Sequence, residues 1–263
     1  MKSTTVTSVP APASDADMPA TPAWPLKSLP RLYVSVPLGM GATVDLDSAQ
    51  ANYLGNVMRQ GVGSQVLLFD GRHGEWVARI ADVSKKQVTL VAEHPGRPQE
   101  AVPDLVLAFA PVKRSQTDWL VEKATELGIA ALQPVFTQRT IVERVKLERL
   151  ESIAIEAAEQ CNRTSIPAIL EPISLAAFLT MREPSRPLYF ADENGGTAAA
   201  EAFTAGPATI LTGPEGGFTD EERQAIRAAP NTVPISLGPR ILRAETAALA
   251  AIAAWMSRVG DWR

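Results

Sequence analysis

Between residues 31 and 100 the apolar positions fall in short β-branched or alternating runs: "RLYVSV", "SQVLLFDG", "GEWVARIADVS" and "QVTLVAEH". A period of two sends successive side chains to opposite faces, so each run predicts a strand with one face buried. The turn "DGRHG", Asp70 to Gly74, joins two of these strands as a hairpin. One stretch interrupts the pattern: Ser48 to Arg59 predicts a helix capped by Ser48 and ended near Gly61. Short strands with a single helix predict a small β-barrel.

After "GRPQEAVPD", Gly96 to Asp104, the texture changes and strands alternate with helices. "LVLAFAPV" reads as a buried strand, Thr117 to Leu127 as a helix closed by Gly128, "ALQPVF" as a strand, and Leu147 to Cys161 as a helix. "PLYFAD", "ATILTG" and "TVPISL" add strands, the last two followed by helices. Such alternation predicts an α/β layer, a mostly parallel sheet with helices on its faces. The expected organisation is an extension over residues 1–30, a barrel over 31–100 and an α/β domain over 101–263.

Composition narrows this picture. Six prolines among Ala, Ser and Thr in the first 30 residues leave too little apolar surface to offset ordering, which predicts a disordered extension. It has neither the apolar core of a signal peptide nor the arginines of a transit peptide. No apolar run reaches the roughly 18 residues of a membrane helix. The single cysteine, Cys161, cannot form an internal disulfide, and two histidines do not make a histidine-rich metal site. A cytoplasmic protein without metal is expected. The net charge of -4 does not describe a chain coated in positive charge, yet 11 of its 25 basic residues lie between Lys85 and Arg163.

The candidate chemistry sits in two glycine-proline turns, "LTGPEGGFTDEE" (Leu211 to Glu222) and "SLGPRILRAETAALAA" (Ser236 to Ala251). Each runs from a strand into a helix. A phosphate cradle would need free helix amides and a nearby cation. Here Thr219 and Glu222 form a capping box, Asp220, Glu221 and Glu222 acidify the first turn, and no "GK[ST]" follows. A cationic or zwitterionic nucleoside fits better, because glycines let the backbone approach a ligand. Taken singly, each turn is also an ordinary tight connection. Two of them at strand ends point to a site, because ligands of open α/β sheets bind beyond the carboxyl ends of strands.

Four segments, "LTGPEGGFTDEE", "SLGPRILRAETA", "DWLVEKATELG" and "IAIEAAEQCNR", together resemble the ribosomal RNA small-subunit methyltransferase E family, over about Arg31 to Trp255. The resemblance implies a C-terminal SPOUT domain, a trefoil-knotted, mostly parallel sheet, and an N-terminal PUA-like RNA-binding barrel. It implies S-adenosylmethionine as methyl donor, N3 of a uridine near the 3′ end of 16S rRNA as acceptor, and a homodimer. Carried over by motif, the cofactor is wrapped by Leu211, Thr212, Gly213, Pro214, Glu215, Gly216 and Gly217 and by Leu237, Gly238, Ile241 and Leu242. Two departures from the family pattern stand out: Asn52 replaces a common histidine, and Cys161-Asn162 replaces a usual glycine.

The uridine N3 must lose a proton, so carboxylates are the candidate bases and arginines the candidate stabilisers. Arg243 is expected to orient the uracil, and Glu245 to fix Arg243 or accept the proton; the pair also reads as a helix-start ion pair. Glu159, Gln160 and Arg163 belong to an element that faces the active site in the family and are assigned to uridine or backbone recognition, or else cap a helix. Lys113 and Arg114 are placed against RNA phosphate or solvent, and Arg31, Arg59, Arg72 and Arg79 are the barrel's phosphate candidates. Tyr53, Trp76 and Trp119 read as core residues. The competing functions are a non-catalytic RNA-binding assembly factor and an enzyme of small nucleotides.

Overall fold

The computed structural model describes residues 29–84 and 87–262. The proline-rich extension therefore lies outside the described residues, apart from Leu29 and Pro30.

Five strands form the first sheet: β1 (Arg31–Tyr33), β2 (Thr43–Asp45), β3 (Gln65–Phe69), β4 (Glu75–Val83) and β5 (Val88–Pro95), in the order β1-β3-β4-β5-β2. The hairpin is as expected: β3 and β4 pair antiparallel across residues 70–74. β5 alternates buried and half-buried positions along most of its length, the signature of one face turned inward. The inward side chains, among them Val44, Leu54, Val66, Leu68, Ile80 and Leu90, form one apolar core. The helix is shorter than expected. α1 (Ser48–Asn52) is capped by Asp47, whose carboxylate accepts from the amides of Ala49 and Gln50, rather than by Ser48. It continues as a π-helical turn, Tyr53–Val57, which buries Leu54.

The second sheet is parallel throughout. Its strands are β6 (Leu105–Phe109), β7 (Ala131–Phe136), β8 (Ala168–Ile169), β9 (Ile173–Ser174), β10 (Leu188–Ala191), β11 (Thr197–Ala198), β12 (Ala208–Thr212) and β13 (Thr232–Ser236), in the order β11-β13-β10-β12-β6-β7-β8 with β9 on β7. Between them run α2 (Arg114–Glu126), α3 (Leu147–Gln160), α4 (Leu175–Met181), α5 (Ala199–Ala202), α6 (Asp220–Ala228) and α7 (Ala244–Arg258). Every residue of β12 is buried, because both faces of a central parallel strand are covered. Ile210 joins Leu105, Leu107 and Phe109 in a core shared with residues of α2, α3 and α7, whereas Leu211 joins Phe190, Phe178, Phe218 and Ile226 under α4 and α6. The alanines of α7 are packing residues: Ala248 and Ala251 are fully buried, and the helix lies against α2, α5 and the sheet.

Candidate active site

Strands β13, β10 and β12 are neighbours, and the loops that leave their carboxyl ends close around a cavity of about 650 Å³, within the range of small-molecule sites. The first glycine turn supplies Thr212 to Gly217 with the exception of Gly216, the second supplies Leu237 to Leu242, and the start of α7 adds Arg243, Ala244, Glu245 and Ala247. The β10 loop, Ala191 to Gly195, is a third wall that the sequence reading did not assign. Its signal was present: "DENGG" follows a recognised strand and carries two glycines. Lys113 and Gln116, after β6, complete the lining.

Two glycines show how closely the walls meet. A Cβ on Gly213 would lie 2.6 Å from Cε2 of Phe218, a buried ring packed edge-on against Phe190 at 5.2 Å. Gly217 has φ +67, and a Cβ there would lie 2.7 Å from Oε1 of Glu193. The capping box forms as read: Thr219 accepts from the Glu222 amide and the Glu222 carboxylate accepts from the Thr219 amide. Two of the amides at the start of α6, those of Thr219 and Glu222, are thus bonded to its own side chains.

The charges divide by location. The Asp192 side chain is fully buried and saturated: Arg227 donates to it at 2.5 and 3.0 Å, the Asn194 amide at 3.0 Å, and Arg223 also donates. Arg223 bonds Glu193 as well, and these contacts tie the β10 loop to α6. Among the described residues, Glu215 and Glu245 line the cavity with no basic partner, and Lys113, Arg240 and Arg243 line it with no acidic one. Arg243 and Glu245 form no ion pair within the chain; Glu245 is buried and Arg243 exposed. Apolar contact is available from Pro214, Ile235, Leu237 and Leu242. Free carboxylates and free guanidinium groups around one apolar wall complement a zwitterion with a flat hydrophobic part.

A family model described as "RNA methyltransferase domain" matches residues 98–256, and one described as "RNA methyltransferase PUA domain" matches residues 46–93. The ribosomal RNA small subunit methyltransferase E of Rickettsia conorii is 32% identical over 229 residues, which cover 85% of this chain and 93% of that protein. The chain belongs to the ribosomal RNA small subunit methyltransferase E family. The member from Bacillus subtilis is 30% identical, covering 81% of this chain and 89% of its own. The crystal structure of the Neisseria gonorrhoeae member bound to S-adenosyl methionine matches with a TM-score of 0.80 at 30% identity, covering 87% of this chain and 97% of that one. The two sheets are accordingly the SPOUT layer and the PUA-like barrel of this methyltransferase family.

Several residues that the sequence assigned to RNA lie elsewhere. Arg31 is a correction: its side chain is 6% exposed, stacks on Phe69, and donates to Glu75 at 2.6 Å. Its remaining donors reach the carbonyls of Ala158, Glu159 and Arg163 at the end of α3, so it joins barrel to SPOUT layer and presents no donor to RNA. Arg97 completes the junction, bonding Glu75 and the Asn162 carbonyl, each at 2.8 Å. Burial alone would raise the Glu75 carboxyl, but its hydrogen bonds and charges from Arg97 and Arg31 together hold it below the usual carboxylate range. Asn162, the departure from the family glycine, has φ +62, a left-handed conformation that asparagine tolerates.

Arg163 is a second correction. It is buried, donates to the carbonyls of Thr125 at 2.7 Å and Ile129 at 3.1 Å, and is held by Ser165 and Glu100. Glu159 accepts from the Tyr33 amide at 2.7 Å, and burial pushes its carboxyl above the ordinary range. With Gln160 it lines a separate cleft between α3 and the barrel, beside Tyr33, Tyr53 and Met58. None of these three residues lines the cavity at the glycine turns. Arg79 is engaged by Glu93 at 2.6 and 3.0 Å. Arg59 and Arg114 are exposed, Arg114 with Asp118 at 4.0 Å. Tyr53 and Trp119, read as core, are 40% and 43% exposed, whereas Trp76 packs on the barrel core.

Proposed function

We propose that this methyltransferase uses S-adenosylmethionine to methylate N3 of one uridine in the decoding region of 16S rRNA, position 1498 in conventional rRNA numbering. The observation that carries the reading is the cavity at the ends of β10, β12 and β13, which keeps two carboxylates and three cations unpaired in a chain of this family. The bound cofactor supplies a methyl group on positively charged sulfur. Glu215 and the loop carbonyls would complement that charge or the amino group, and Leu237, Ile241 and Leu242 with the loop backbone would hold the adenine. Leu211 is fully buried beneath the first turn and sets its position from below.

Arg243, exposed at the cavity wall with no acidic partner, orients the uracil and offsets the negative charge that develops on its oxygens. Glu245, two residues on, accepts the N3 proton. Lys113 and Arg240 meet RNA phosphate at the same wall, joined by the exposed Arg114 and, on the barrel, Arg59. Residues 31–100 are the RNA-binding unit and residues 101–263 the methyl-transfer unit. The protein works in the cytoplasm as a homodimer.

Mass mapping of 16S rRNA from cells lacking the gene tests the assignment. The expected result is loss of a single methyl at one uridine, restored by the wild-type chain and not by Arg243→Ala. An unchanged methylation map overturns it. Calorimetric titration separates the alternatives: binding of S-adenosylmethionine without turnover on 16S rRNA would favour an assembly factor, and binding of ATP alone a nucleotide enzyme.

A further inference from the structure

The turn that leaves β7 docks on the first glycine turn from outside the cavity. Thr137 and Thr140 close it: the Thr137 amide donates to Oγ1 of Thr140 at 3.0 Å, and the Thr140 amide donates back to the Thr137 carbonyl at 3.2 Å. The Gln138 amide donates to Oε1 of Glu222 at 2.7 Å, while Oε2 of the same carboxylate takes the Thr219 amide at 3.0 Å. One carboxylate therefore caps α6 and fastens the 137–140 turn beside it. Arg139 then reaches across, and its Nη1 donates to the carbonyl of Gly216 at 2.7 Å. A Cβ on Gly216 would touch Cβ and Cδ of Arg139 at 3.5 Å, so the arginine stem lies directly against this peptide.

Gly216 is exposed and lies between Glu215 and Gly217, both of which line the cavity. Within the turn, the Gly217 amide bonds the Pro214 carbonyl at 2.9 Å. Two adjacent glycines lose more conformational freedom on ordering than any other pair. Arg139 itself lines no part of the cavity. Its contact with Gly216 is a tether on the outer side of a peptide whose neighbours form the inner side.

We propose that Arg139 is a positioning residue for the methyl-donor turn, holding the Glu215–Gly217 backbone in its ligand-binding conformation through the Gly216 carbonyl. The proposal rests on reading the cavity as the S-adenosylmethionine site. Calorimetric titration of S-adenosylmethionine into wild type, Arg139→Ala and Arg139→Lys tests it, together with KM for a 16S rRNA fragment. Arg139→Ala should weaken cofactor binding by about five- to twentyfold, the loss expected of one charge-assisted hydrogen bond. KM for RNA should stay at the wild-type value, and the unliganded protein should melt within about 2 °C of wild type, as exposed substitutions do. Arg139→Lys, which keeps one donor on a long stem, should recover part of the affinity.

An unchanged cofactor affinity with a raised KM for RNA would make Arg139 a phosphate contact and overturn the assignment. So would a loss of cofactor affinity matched by a fall in melting temperature and not recovered by lysine. Failure of wild type itself to bind S-adenosylmethionine would overturn the reading of the cavity, and the proposal with it.

Discussion

An added methyl at Gly213 would press on Phe218, and that ring cannot retreat, because it is buried against Phe190 with Leu211 and Ile226 around it. Gly213→Ala should therefore cost about 1–3 kcal/mol of stability, the usual cost of overpacking. It should also displace the first glycine turn and lower cofactor affinity at least as far as Arg139→Ala does. Denaturant titration beside calorimetry checks both, and wild-type affinity in the variant would show that the turn tolerates the shift. Glu159 offers a prediction with a definite pH dependence. Burial raises its carboxyl in the folded protein, so ionisation is penalised there, and wild type loses stability as pH rises through the raised value. Glu159→Gln keeps an acceptor for the Tyr33 amide and cannot ionise. The variant should melt above wild type at pH 7, and the two should converge below about pH 4, where an unfolded glutamate is protonated too. A difference that does not change between the two pH values would remove ionisation as its cause.

The end of α3 is where the barrel is fastened, and its carbonyls draw arginines to the negative end of the helix dipole. Arg31→Ala strips donors from three carbonyls and leaves Glu75 with Arg97 alone. Breaking a buried pair of this kind costs about 3–5 kcal/mol. Urea unfolding should show the loss, whereas an RNA contact would lower RNA affinity and leave stability untouched. This junction was illegible in the sequence because Tyr33 and Glu159 stand 126 residues apart, and no periodicity links them. The elements themselves were readable wherever period or chemistry was strong. β3 is a continuous buried run, β5 alternates, α2 and α3 carry long apolar faces, and α6 announces itself by Thr219 and Glu222. α4 and α5 were passed over: they span seven and four residues, and they are held by burying Leu175, Phe178 and Ala199 rather than by local propensity. Of the three walls of the cavity, two had glycine-proline turns that point to a ligand. The third, Asp192 to Gly195, looks like any polar loop until Arg223 and Arg227 are seen to fold back onto Asp192.

Across the whole molecule a net charge of -4 has to coexist with binding a polyanion, and the resolution is the local pairing of charges. Most arginines are committed to carboxylates or carbonyls: Arg31, Arg97 and Arg163 at the domain junction, Arg79 on the barrel, Arg223 and Arg227 beneath the β10 loop. Lys113 and Arg240 are not committed, and both stand at the cavity. If RNA runs over that wall, each contributes counterion release on binding. Removing one phosphate contact lowers the slope of log K against log salt by about 0.9 on duplex and about 0.7 on single strands. Lys113→Gln and Arg240→Gln should each flatten the slope by that amount, and the double variant by the sum. Arg79→Gln should leave the slope unchanged, because its guanidinium already faces Glu93. Filter binding of a 16S rRNA fragment between low and physiological salt measures the four variants against wild type under one protocol. A flattened slope for Arg79→Gln with none for Lys113→Gln or Arg240→Gln would move the phosphate path off the cavity wall and onto the outer face of the barrel.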